Sequence, residues 1–239
     1  MGQDVLTAPR GTARADVHGE RARADGLLAC GIVVGPLFLA VAAAQAFTID
    51  GFDLGRHPIS LLSAGDLGWI QIANFVAAGG LALLFAAGTN RVLVDGPGRT
   101  WAPLLLGGYG IGLIVAGVFT ADPAFGFPPG TPDGAPEELS WHAVAHGVGF
   151  TLAFVSLTLA CLVFARRFWT FGPRGWAVYS VATAVVALTL SMWPDRSGAS
   201  VRYFVATVIA SAWTTAIAAR LRLRGSRWIA HDEGWRDRA

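Results

Sequence analysis

His142 and His146 stand four residues apart in an apolar stretch, so on a helix they share one face, one turn apart. Two imidazoles at that spacing can hold a divalent cation, and His57 and Asp122 would complete a tetrahedral or open zinc site. Zinc held there would acidify a bound water, which could attack an ester in a lipid headgroup. As a motif the pair is weak, because the glutamate that follows the first histidine in zinc proteases is missing.

A structural reading covers the same residues. His57-Pro58 makes a turn into Ser60, which would cap a short helix. Asp122-Pro123 would simply end a helix, since proline cannot continue one. His142 would lie at the membrane interface beside Trp141, and His146 would hydrogen-bond a neighbouring helix. Gln71 and Asn74 would join helices through their carboxamides. A third reading makes His57, Ser60, Gln71, Asn74, Asp122, His142 and His146 the lining of a polar vestibule.

Six apolar stretches of 19 to 25 residues must position these groups: 26–47, 68–90, 101–121, 141–165, 175–193 and 201–219. At 1.5 Å per residue, about 20 residues cross a hydrocarbon layer of about 30 Å. The fold class expected is therefore all-α, a polytopic bundle of six transmembrane helices over residues 26–219. A disordered cytoplasmic tail would occupy 1–25 and a basic cytoplasmic tail 220–239. Ala44-Gln45-Ala46 resembles a signal-peptidase site, but the preceding apolar run is longer than a signal peptide's core, which favours retention of the first span.

Arginine supplies all 18 basic residues, and with the N-terminus inside, 15 fall on the inner side and three (Arg56, Arg196 and Arg202) on the outer. That asymmetry places both termini in the cytoplasm of a cell with the chain in its inner membrane. Trp69, Trp141 and Trp193 mark the outer edge; Trp101, Trp169 and Trp176 mark the inner one. Trp213 falls mid-span, as packing or lipid contact. Two long outer connections, 48–67 and 122–140, carry most of the candidate site.

Glycines cluster on the second, third and fourth spans, which are expected to form the core of the bundle. Gly108 and Gly112 form a GxxxG that could alternatively support a homodimer. No ionisable residue lies in the middle third of any span, which argues against a proton-coupled carrier. Cys30 and Cys161 are separate intramembrane thiols, with no disulfide expected. No basic stripe interleaved with aromatics points to nucleic acid.

His57-Pro58-Ile59-Ser60, the Gly68–Phe75 run, Phe119–Pro123, Pro128–Pro132 and the His142/His146 pair together resemble the domain-of-unknown-function family 998. The resemblance covers roughly residues 31–191 and implies a prokaryotic multi-span membrane protein without an assigned activity. Three functions stay open: binding of a lipid headgroup or partner protein at the outer face, zinc-assisted hydrolysis of a lipid ester, and a passive scaffold.

Overall fold

The computed structural model describes the backbone of residues 10–194 and 198–236, and the side chains of 19–194 and 198–223. Parts of both expected tails, 1–9 and 237–239, lie outside the described residues, as do Asp195 and Arg196 of the last outer hairpin. Six helices follow in order: α1 (Arg10–Thr48), α2 (Gly68–Val92), α3 (Trp101–Val118), α4 (Trp141–Phe171), α5 (Arg174–Met192) and α6 (Ala199–Arg236). All six are long and apolar enough to cross a membrane, and the described residues contain no strand.

Helices run past the apolar stretches at several ends. α1 begins sixteen residues before the first stretch and α4 continues six residues beyond the fourth, to Phe171. α3 is shorter than its stretch, because Phe119 turns to extended backbone three residues before Asp122.

The helices follow one another around the bundle in chain order, with α6 returning to pack on α1. One end carries the two long loops; the other carries Arg91, Arg99, Arg166, Arg167 and Arg174. At this arginine end the centre is filled by fully buried Phe85, Leu106, Phe164, Trp213 and Ile217. Trp213 is thus core packing, its indole N–H donating to Ser180 Oγ at 3.0 Å. Arg167 donates to the carbonyls of Asp95 and Pro97 at 2.7 and 3.0 Å, which fastens the α2–α3 turn to α4.

α3 packs most extensively on α4 and α2, as the glycines anticipate. A Cβ at Gly112 would lie 2.5 Å from Ala153 N and 2.6 Å from Gly149 O, so only glycine lets α3 and α4 approach this closely. Gly108 faces Ser156 of α4 in the same way. The chain's own fourth helix therefore packs on the GxxxG face.

Candidate functional site

The two long loops are tied into a lid over one end of the bundle. Arg56 pairs with Asp133 across the loops at 2.8 Å. His57 is 3% exposed and sits against Phe52 and Phe127, with ring centroids 5.3 and 5.5 Å away. Its Nδ1 accepts the Asp53 N–H at 2.9 Å, so the ring proton belongs on Nε2, which donates to Phe125 O at 3.0 Å. Phe125 adopts a left-handed backbone, φ 57°, an unusual conformation for a side chain of that size. Ser200 Oγ donates to Arg56 O at 2.7 Å and brings α6 into the same assembly.

Asp122 is committed elsewhere. Its two carboxylate oxygens accept the N–H and the hydroxyl of Ser140 at 2.7 and 2.5 Å. Ser140 in turn accepts the Ala143 N–H at 3.1 Å and caps α4. The end of α3 is thereby locked to the start of α4.

The histidine pair on α4 divides. His142 is exposed and packs edge-on against Trp141 and Phe119, with centroids 3.8 and 5.9 Å away. His146 Nδ1 faces two acceptors, the carbonyls of Ala116 at 2.7 Å and Phe119 at 3.0 Å, so Nδ1 carries the proton and donates. His146 also stands at the margin of a cavity between the helices.

Gln71 and Asn74 lie inside the bundle, 0% and 5% exposed. Gln71 Oε1 accepts from Gln45 Nε2 at 2.8 Å and from Asn74 Nδ2 at 3.2 Å, and Asn74 Nδ2 also reaches Phe38 O at 3.0 Å. This amide cluster joins α1 to α2. Gln45, its third member, is concealed in the sequence within the Ala44-Gln45-Ala46 pattern.

Of the seven candidates, Ser60 and His146 line one cavity, whereas His57, Gln71, Asn74, Asp122 and His142 do not. Among the described residues, no group of three or more His, Cys, Asp or Glu side chains is placed to hold a metal ion. His57, Asp122, His142 and His146 are therefore not gathered into a ligand set here, and His57 would have to give up a hydrogen bond before it could ligate.

The cavity has a volume of about 340 Å³ and lies among α3, α4, α5 and α6, beneath the 3-10 helix Ile59–Ala64. It extends along α4 from His146 to Cys161, a rise of about 22 Å at 1.5 Å per residue. Phe150, Phe154 and Leu157 form its α4 wall, and Ala187 and Ala206 open it on α5 and α6. Thr158 and Thr207 also face it, yet their hydroxyls donate to the carbonyls of Phe154 and Tyr203, both at 2.8 Å. The wall is thus mostly apolar, although Tyr109, Thr183, Ser191, Tyr203 and Ser211 also border it, and His146 and Ser60 stand at the lid end. Phe150 and Tyr203 meet across the α4–α6 side, with ring centroids 6.0 Å apart.

Sequence reasoning missed nearly all of this wall. Its aromatic and alanine residues carry the same hydropathy as the lipid-facing ones, and only the helix arrangement distinguishes them.

The model of a family described as protein of unknown function (DUF998) matches residues 32–220. No curated protein and no solved structure matches the chain. The family match reaches through the sixth span and so takes in every wall of the cavity.

Proposed function

The chain belongs to the DUF998 family of unknown function and is a multi-pass membrane protein; on that premise we propose that it binds a lipid, tail in the interior cavity and headgroup beside His146 and Ser60. The observation that carries this reading is the mostly apolar cavity itself, with His146 and Ser60 at its lid end. A mostly apolar chamber bordered by about 22 Å of α4 is longer than one leaflet of about 15 Å and so has the length for a hydrocarbon tail. Pockets of about 300–1,000 Å³ with a few convergent polar groups are the usual form of a small-molecule site. The lid residues Pro58 and Ile59 cover the same end, where they would shield the headgroup from bulk water.

The arginine distribution orients this site. With 15 arginines on one side and three on the other, the lid faces outward from the cytoplasmic membrane and both termini lie inside. Hydrolysis has less support, because His57, Asp122 and Nδ1 of His146 are engaged with backbone groups.

Palmitic acid bearing a diazirine near its methyl end tests the reading in membranes containing the protein. Photolysis should label Phe154 and Leu157 on the cavity wall, and Ala187→Phe should suppress that label. Val155, which is exposed on the outer face of α4, should be labelled in both. Equal labelling of Phe154 in the two proteins would overturn lipid binding in the cavity.

A further inference from the structure

On the arginine end, away from the cavity just described, α4 and α5 leave a second groove of about 740 Å³ on the outer surface. Leu162, Ala165, Arg166 and Trp169 form one wall, spaced as a single helical stripe. The α5 wall runs from Ala177 to Val186, about 14 Å of helix. Buried Ala165 and Ala177 make the floor, and exposed Val178, Val181 and Val185 stand along the side. Two arginines stand at its polar end. Arg166 lines the groove directly, and Arg174 lies over the Trp169 ring at 5.3 Å from its centroid. Neither guanidinium is ion-paired among the described residues, whereas Arg56 pairs with Asp133 and buried Arg167 donates to backbone carbonyls.

From this arrangement we infer that the α4–α5 groove is a binding site for an anionic phospholipid. One acyl chain occupies the apolar trough, and the phosphate meets Arg166 and Arg174. Charge complementarity selects this occupant. A guanidinium fork matches phosphate oxygens in a bidentate manner, and the single net negative charge of phosphatidylglycerol offsets part of the charge of two cations that have no ion-pair partner among the described residues. A zwitterionic headgroup would bring its own ammonium into the same space. Trp169 fits the headgroup level and holds the Arg174 plane in position.

Native mass spectrometry of the detergent-solubilised full chain tests this, with dioleoylphosphatidylglycerol and dioleoylphosphatidylcholine as the two probes. Phosphatidylglycerol should be retained in preference, one molecule per chain. Arginine near an anionic lipid contributes about fivefold, so Arg166→Gln with Arg174→Gln should weaken retention about 25-fold. Arg166→Lys should recover part of the loss, because it keeps the charge without the fork. Val181→Trp fills the trough with both arginines intact and should also abolish retention. Equal retention of the two lipids by the wild type would overturn the inference. So would a phosphatidylglycerol preference that survives Val181→Trp, which would mark surface charge without a groove. None of these residues lines the interior cavity, so palmitate labelling of Phe154 should be unchanged in every variant.

Discussion

Helix α4 has two working faces, and they are built on opposite principles. Toward α3 it presents Gly149, Ala153 and Ser156, and the two backbones come close enough that a Cβ at Gly149 would lie 2.6 Å from Ala116 N. Toward α5 and α6 it presents Phe150, Phe154 and Leu157, which border open space. In lipid no hydrophobic force distinguishes helix contact from tail contact, so closeness depends on side-chain size and on complementary shape. Small residues produce a sealed seam. Large ones, facing alanines at 187 and 206, prop the helices apart and leave a chamber.

The strongest way to break this contrast is to put bulk into the seam. Gly112→Leu should cost about 3 kcal/mol or more, because the new side chain meets backbone that cannot yield. Thermal unfolding in detergent would register it as a large fall in Tm or as loss of monodisperse protein. Gly80 on α2 provides the control, since a Cβ there meets nothing within 4 Å. Gly80→Ala should leave Tm unchanged or raise it, the expected gain being up to about 1 kcal/mol from helix propensity. If Gly112→Leu behaves like Gly80→Ala, the seam is not close-packed.

A smaller effect is expected at the lid. His57→Ala removes two hydrogen bonds to backbone groups and the ring between Phe52 and Phe127, a loss of about 2 kcal/mol at about 1 kcal/mol per bond. The loss should be local, read as faster proteolysis of the loops at 48–67 and 119–140, with the bundle still folded. Ala187→Phe should change stability less still, by under about 1 kcal/mol, because it enters space that is already open. Bulk tolerated there and rejected at Gly112 would establish that the two faces of α4 differ in packing.

The spans were legible in the sequence because hydrocarbon penalises charge, and the arginines and tryptophans therefore record the boundaries. Trp69, Trp101, Trp141 and Trp193 are all exposed at helix ends, as interfacial indoles should be. The roles of His57 and Asp122 were less legible. Their partners are backbone groups of Asp53 and Phe125, and of Ser140, and a backbone amide has no sequence signature. His146 bonds a neighbouring helix, one of the readings its sequence context left open, but its place beside a cavity could not be read. Whether an apolar face meets lipid, a helix or a void depends on how α4, α5 and α6 splay, which periodicity along one helix does not encode.

The amide cluster should give the smallest effect, and its sign is the informative part. Gln71→Leu deletes an acceptor used by Gln45 and Asn74, but it also removes Gln71 Nε2, a buried donor without a partner in the structure. The first change destabilises; the second relieves a desolvation cost of the same order. Interhelical hydrogen bonds in membranes average about 0.6 kcal/mol, so the net shift should fall within about 1 kcal/mol of zero. A double-mutant cycle with Gln45→Leu isolates the α1–α2 bond, and its coupling should be about 0.6 kcal/mol. Coupling well above about 1.7 kcal/mol, near the largest values such cycles give, would mean that the carboxamides hold α1 against α2 more firmly than glue requires. The sealed side of the bundle would then extend around through α1, leaving α5 as the more loosely packed wall of the chamber.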